Sequence, residues 1–280
     1  MSGPAPRMAA VVGWPIAHSR SPLIHGHWLA RYGIAGRYDR IGVPPERADA
    51  FFADFAGEGL VGANVTIPHK EIAVRHAELD EVAAALGAAN TVWLDDGVLR
   101  ATNTDVYGFL ANCDEASPGW TAPGRPAVVL GAGGAARSIV FALAGRGFEP
   151  VVVVNRTAER AERLARLYPA ARVAAWADRD AALAGAAFLV NTTSLGMEGQ
   201  PPLDIDLAAL AEDAVVCDIV YAPLVTDLVA GAAARGLGVV GGLGMLLHQA
   251  VPGFAKWFGT RPEVDGELRA RIEADLIGPR

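Results

Sequence analysis

The sequence predicts an α/β chain of two domains. Three observations predict it. Short runs rich in Val, Ala and Ile alternate with helix-like segments of roughly ten residues or more. That rhythm breaks at a Pro/Gly-rich stretch, residues 117–126, and then begins again. The chain has 280 residues, more than the roughly 150 of an average domain. Strand–helix alternation calls for mainly parallel sheets, because parallel neighbours need a crossover between them.

Residues 8–16 (MAAVVGWPI) read as the first strand. Residues 21–33 follow as a helix, with Pro22 in its first turn and Gly33 at its end. Residues 37–43 are a second strand, and 44–59 a helix again opened by Pro and closed by Gly. Residues 61–68 (VGANVTIP) are a third strand and 69–79 a third helix. Residues 90–94 and 98–103 flank Asp95-Asp96-Gly97, a hairpin turn signal. Residues 104–116 are helical, and 117–126 are the best linker by composition. Beyond it come strand 126–130, a glycine-rich turn and helix over 131–147, strand 150–155 and helix 157–169. Further strands lie at 171–176, 186–193, 214–221 and 236–242. Helices over about 243–258 and 262–276 close the series.

Composition narrows the function classes. The formal charge of −7 argues against broad nucleic-acid or anionic-membrane binding, which needs a basic surface. Hydrophobic residues at 52% against 20% charged supply a sizeable core and exclude disorder. The longest uncharged stretch, 236–255, is interrupted by six glycines and Pro252, so it reads as strand, turn and buried helix rather than a membrane span. The first ten residues do not read as a secretory leader. Cys113 and Cys217 are far apart in sequence and match no ligand spacing; they read as reduced cytosolic thiols, and no metal motif is present. Of the 24 basic residues only Lys70 and Lys256 are lysines, so each invites a reason.

Gly131-Ala132-Gly133-Gly134-Ala135-Ala136 fits G-x-G-x-x-G/A. It follows a strand, opens a helix and precedes another strand, the context that turns a weak pattern into a dinucleotide-binding fingerprint. The helix N-terminus offers free N–H groups to a pyrophosphate. An NAD site carries Asp or Glu after the second strand; here Asn155-Arg156-Thr157 stands there, with Arg160 one turn on. Thr157 reads as the helix cap, with Arg160 where a capping box wants Glu or Gln. Two guanidiniums without a carboxylate suit a 2′-phosphate, so the cofactor reads as NADP.

Asn64-Val65-Thr66-Ile67-Pro68-His69-Lys70 runs from strand to helix. Lys70 falls in a first helical turn, where the macrodipole disfavours a cation; that placement suits an acid/base lysine better than a decorative one. Asn103-Thr104-Asp105 and Ser19-Arg20-Ser21-Pro22 read equally as ordinary helix caps or as binders of a small anion. From the residues alone, the chain is an NADP enzyme with a Lys/Asp pair near a small anionic substrate.

These segments carry a family resemblance. Gly13-Trp14-Pro15-Ile16-Ala17-His18-Ser19-Arg20-Ser21-Pro22, residues 64–70, Gly87-Ala88-Ala89-Asn90-Thr91 and Asn103-Thr104-Asp105 with Gly108 resemble the shikimate dehydrogenases. So do residues 131–137, Asn155-Arg156-Thr157, Asn191-Thr192-Thr193-Ser194 with Gly196-Met197, Asp218-Ile219-Val220-Tyr221 with Pro223-Leu224, and 242–250, all in the family's order. The resemblance implies a substrate domain of residues 1–105 plus C-terminal helices 239–280, a Rossmann-type NADP domain of 106–238, and an active site in the cleft between them. It implies reversible reduction of 3-dehydroshikimate to shikimate with NADPH, in aromatic amino-acid biosynthesis.

Carried over by position, Lys70 and Asp105 form the catalytic pair, without settling which is the formal acid. Ser19 and Ser21 bind the substrate carboxylate. Thr66, Asn90, Asp105 and Gln249 bind ring hydroxyls, with Tyr221 near the substrate. Gly131, Ala132, Gly133, Gly134, Ala135, Asn155, Arg156, Thr157, Arg160, Thr192, Ile219, Gly242 and Met245 form the cofactor set. Met245 reads equally as core. One departure is visible: Gly26 stands where the family often has Asn, which is expected to alter packing of the first helix. Arg156 and the Ser19/Ser21 pair point to the NADP-using, shikimate-specific branch. The alternatives are a quinate/shikimate dehydrogenase with broader cofactor use and a non-catalytic NADP-binding regulator. Monomer and homodimer are both compatible with the composition.

Overall fold

A computed structural model describes residues 6–278. Half of the ten-residue segment read as lacking a leader, residues 1–5, lies outside them. The described residues divide into two compact units, one formed by 6–104 together with 249–278, the other by Asp105–His248.

The first unit contains β1 (Arg7–Gly13), α1 (Ser21–Arg31), β2 (Gly36–Gly42), α2 (Ala48–Ala53), β3 (Gly62–Val65), α3 (Lys70–Ala73), β4 (Glu78–Leu79), α4 (Glu81–Leu86), β5 (Thr91–Asp95) and β6 (Val98–Thr102). Its sheet runs β2-β1-β3-β5-β6-β4. The pairs β1–β2, β1–β3 and β4–β6 are parallel; β3–β5 and β5–β6 are antiparallel. The β5–β6 turn is Asp96-Gly97, both with positive φ (49° and 81°), as a two-residue hairpin requires. Two predicted helices shrink. Residues 44–59 form the six-residue α2 flanked by single 3-10 turns. Residues 69–79 give only the four-residue α3, because Glu78 and Leu79 pair with Arg100 and Ala101 of β6; a sheet partner distant in sequence outweighs local helical pattern. Ala10, Val12, Phe52, Phe55, Val65 and Val92 form one core. Alternation puts Asn64 on the other face of the sheet from Ala63 and Val65.

The second unit opens with α5 (Asp105–Ala116), followed by β7 (Ala127–Leu130), α6 (Gly134–Gly145), β8 (Val151–Asn155), α7 (Ala158–Ala165), β9 (Ala171–Ala175), β10 (Phe188–Asn191), β11 (Val215–Asp218), α8 (Asp227–Ala234), β12 (Gly238–Val240) and α9 (Leu243–His248). All its strand pairs are parallel, in the order β12-β11-β10-β7-β8-β9. Counted from β7, that is the 3-2-1-4-5-6 order of a Rossmann-type sheet, with the order reversing between β7 and β10.

The stretch read as a linker, 117–126, lies inside this unit. Trp120 is buried, stacks on Phe148 with ring centroids 5.8 Å apart, and donates its indole N–H to Asp114. One aromatic anchor thus makes a Pro/Gly-rich segment a packed connection. Residues 239–248, read as returning to the first domain, also stay in the second unit. Asn112 of α5 donates to the Gly241 carbonyl at 2.9 Å and lies against Gly244. Cys113 and Cys217, distant in sequence, come together here. The Cys113 thiol beside it and burial push the Cys217 thiol well up, so it stays protonated.

The chain then returns to the first unit as α10 (Ala250–Phe258) and α11 (Gly266–Ile277). The helix predicted over 243–258 is therefore two, parted at Gln249. Trp257 of α10 lies over Gly62, where any side chain would collide with its indole, and donates to the Val92 carbonyl at 2.9 Å. Lys256 places its ammonium 3.7 Å from the Trp93 ring centroid, a cation–π contact that gives this second lysine its reason.

Candidate active site

In the first unit the predicted residues gather around the ends of β1, β3 and β5. Ser21 is the first residue of α1 and buried; Arg20 takes the cap position and makes no side-chain cap. The hydroxyl at the helix start is instead that of Ser19, which accepts from the Ser21 N–H at 3.3 Å and lies 3.3 Å from the Ser21 hydroxyl. The Ser19 carbonyl is gripped by Arg40 of β2 through Nε (2.9 Å) and a terminal nitrogen (2.5 Å). Arg20 pairs with Asp275 of α11 at 2.9 Å. Two hydroxyls on a loop held from both sides, beside a guanidinium, suit a carboxylate.

Thr66 follows β3, and Lys70 begins α3, half-buried. A single turn has little macrodipole, so that argument for Lys70 loses its force. What fixes Lys70 is the backbone. Its carbonyl accepts the Ala89 N–H (2.9 Å), and Val65 N–H donates to the Asn90 carbonyl (2.8 Å), so the Lys70 turn and Asn90 are laced together. His69, buried under this turn, bonds the Val43 carbonyl at 2.7 Å. Gln249 is the half-buried residue at the start of α10.

Residues that the sequence reading gave no role hold this region. Tyr38 donates to Asn64 Oδ1 at 2.6 Å, and His25 Nε2 lies 3.2 Å from the same oxygen. Burial pushes His25 down to about 3 and the Tyr38 phenol well up, so both are neutral. His25 stacks on Tyr38 with centroids 4.0 Å apart. Gly26, the departure from the family pattern, is exposed, and a Cβ there would meet nothing within 4 Å. A Cβ at this position would add no contact to the first helix.

In the second unit the predicted cofactor residues lie at the carboxyl ends of the parallel strands, where open α/β sheets take ligands. Gly131 has φ +109°, and a Cβ there would lie 2.5 Å from Thr192 Oγ1, so only glycine fits. Gly133 and Gly134 are exposed, with nothing within 4 Å of a built Cβ. They stand at the start of the 12-residue α6, an open cradle that fits a pyrophosphate. Ala132 and Ala135 are half-buried beside them, and Ala136 is fully buried. Asn155 ends β8 and donates to the Thr157 carbonyl at 2.8 Å. Thr157 occupies the cap position of α7 without a side-chain cap bond, contrary to expectation. Arg156 and Arg160 are exposed and fit an anionic group at the β8 end. Thr192 bonds the Leu130 carbonyl at 2.7 Å, tying β10 to the glycine turn.

Asp218 ends β11 buried, accepting from Asn191, the Val220 N–H and Thr226 at 3.0, 3.0 and 2.7 Å. Burial raises its carboxyl while these donors pull it back. The bonds fix the turn that carries half-buried Ile219 and Tyr221. Gly242 lies directly against the Ile219 and Val220 carbonyls. Met245 is 9% exposed on α9, consistent with either of its readings. Asp105 is the half-buried first residue of α5. A cavity of about 300 Å³, lined by Trp120, Arg125, Asp213 and Gly238 among others, holds none of the predicted residues.

Residues 11–92 match the shikimate dehydrogenase substrate binding domain, 121–196 the shikimate / quinate 5-dehydrogenase family and 242–266 the shikimate 5′-dehydrogenase C-terminal domain. A shikimate dehydrogenase (NADP(+)) of Azorhizobium caulinodans is 57% identical over 96% of this chain and 97% of its own. Among solved structures, shikimate 5-dehydrogenase from Thermus thermophilus in complex with NADP(H) and shikimate aligns with a TM-score of 0.83 at 34% identity, over 96% of this chain and 99% of its own. Quinate dehydrogenase from Corynebacterium glutamicum in complex with NAD aligns at 0.87 and 29% identity, over 95% and 98%. The segment order, the two sheets and these likenesses over nearly the whole length agree: the chain belongs to the shikimate dehydrogenase family.

Proposed function

We propose that this chain is an NADP-dependent shikimate dehydrogenase, interconverting 3-dehydroshikimate and shikimate in the shikimate-specific manner. The observation that carries the reading is a 57% identical relative of that activity over 96% of the chain, joined to retention of both Lys70 and Asp105. In the reducing direction a ketone, NADPH and a proton become a secondary alcohol and NADP⁺. Bound NADPH supplies the hydride. Hydride addition leaves negative charge on the former carbonyl oxygen; the Lys70 Nζ ammonium stabilises it and can deliver the proton. Asp105 accepts a hydrogen bond from the same hydroxyl and helps return the proton. Ser19 and Ser21 hold the carboxylate; Thr66, Asn90 and Gln249 hold ring hydroxyls, with Tyr221 beside them. Arg156 and Arg160 hold the 2′-phosphate, and the glycine turn after β7 holds the pyrophosphate.

The domain division is read as a substrate domain made by the first unit and an NADP domain made by the second. The cytoplasm is the proposed location, supported by two free, buried cysteines. Among the described residues no helix is long and apolar enough to cross a membrane. The reading includes no nucleic-acid partner, on the net charge of −7, and is compatible with a monomer or homodimer. The test is initial rates with shikimate and quinate, each with NADP and NAD. Turnover confined to shikimate with NADP is expected. Substantial quinate or NAD turnover would move the chain to the broader branch. Absence of turnover from folded, NADP-binding protein would make it a regulator.

A further inference from the structure

Asn90 sits at the centre of a buried set of polar groups that its proposed contact with substrate does not require. Its Oδ1 accepts from the Thr104 N–H at 2.7 Å, and the hydroxyls of Thr91 and Thr104 each lie 3.1 Å from it. Those two hydroxyls are 3.2 Å apart. A backbone N–H can only donate, so the carboxamide has one orientation: Oδ1 inward, the Nδ2 donor at its other end. Thr91 Oγ1 in turn accepts from Asn64 Nδ2 at 3.2 Å. Asn64 Oδ1 accepts from Tyr38 at 2.6 Å. Asn64, Asn90, Thr91 and Thr104 are all at most 8% exposed, and so is Tyr38.

We infer that Tyr38, Asn64, Thr91 and Thr104 are positioning residues that lock Asn90 as a donor-only contact. Each link rests on a group of fixed polarity: the Thr104 N–H donates, and the Asn64 amide is oriented by the Asn90 carbonyl it faces at 3.4 Å. A ligand meeting Asn90 must then offer an acceptor oxygen, as a ring hydroxyl does. The inference rests on the assignment of Asn90 to the substrate, and the experiment separates the two. Losing a link removes one of the bonds that hold the carboxamide in place and loosens its aim at the ligand, which weakens substrate binding without touching the cofactor.

Steady-state kinetics of the full chain test it, with Asn90→Ala as reference. Thr91→Val, nearly the same shape without the hydroxyl, is expected to raise KM for shikimate about tenfold. KM for NADP should stay within about twofold, and kcat should fall less than KM rises. Thr91→Ser restores the hydroxyl and should return KM to near the wild-type value, which a packing defect would not do. Tyr38→Phe, one link further out, should raise shikimate KM in the same direction by a smaller factor. Wild-type KM for shikimate in Thr91→Val, with a raised KM in Asn90→Ala, overturns the relay alone. Unchanged KM in Asn90→Ala overturns the substrate assignment and the relay with it. Equal rises for shikimate and NADP would show general loosening and also overturn it.

Discussion

His25 gives the first unit a specific weakness to acid. Its ring is fully buried among Trp28, Tyr38, Phe254 and Trp257. Nε2 faces the Asn64 oxygen, so Nε2 carries the hydrogen and Nδ1 is the atom a second proton must join. Nδ1 has no partner among the described residues. Burial therefore holds the ring at about 3 against an ordinary value of 6.5. A depressed value means that the unfolded chain binds the proton first. The stabilisation is present above the unfolded value near 6.5 and is lost as pH falls from there toward 3. At roughly 1.36 kcal/mol per pH unit, the span has a ceiling of about 5 kcal/mol, and falling to about pH 4.5 forfeits nearly 3 kcal/mol. The comparison is urea unfolding of wild type and His25→Phe at neutral pH and at about pH 4.5. The variant keeps an aromatic ring and leaves Asn64 its bond from Tyr38, but cannot titrate. Its acid loss should be smaller than that of wild type by about 2–3 kcal/mol. Equal losses, or an imidazole seen by NMR to titrate near its ordinary value, would refute the reasoning.

Lys70→Ala should lower kcat by roughly a thousandfold or more with little loss of shikimate affinity, measured by steady-state rates and by binding; a near-normal rate would remove Lys70 from the chemistry. Arg156→Asp should raise KM for NADP far more than KM for NAD, and equal effects would sink the 2′-phosphate assignment. Gly26→Ala places a methyl in open space on an exposed helical position, so it should stabilise the first unit by roughly 0.5–1 kcal/mol in chemical denaturation. Destabilisation would mean that Gly26 serves a purpose its surroundings do not reveal.

Much of this was legible because it is local. The glycine turn at 131–136 declares itself through neighbours in sequence, and its positive φ at Gly131 follows from the same few residues. Asp96-Gly97 likewise dictates its own hairpin. Alternation of strand and helix was enough for the parallel second sheet. The failures share one cause: a partner far along the chain. Residues 78–79 are strand because β6 waits some twenty positions on. Residues 117–126 are packed because Trp120 meets Phe148 and Phe188. Lys70 earned attention by rarity and resemblance, while the dipole argument assumed a helix longer than α3. The site's scaffold was hidden for the same reason. Tyr38 meets Asn64 from 26 positions away, and no spacing rule names such a pair. Only the segments carrying Asn64, Thr91 and Thr104 stood out, without a hint that these side chains hold one another.

The contact between Trp257 and Val92 spans 165 residues, with the whole second unit between its partners. A ribosome emits the chain in order, at roughly 5–20 residues per second. For roughly 8–30 seconds the first sheet thus exists without the indole that covers Gly62 and occupies the Val92 carbonyl. The inserted unit is continuous and can finish folding in that interval; the unit that surrounds it in sequence cannot. Nascent chains stalled before Trp257 should therefore expose an unfinished sheet beside a completed Rossmann-type unit. Limited proteolysis of such chains would release the interior of the sequence intact while its two flanks are digested.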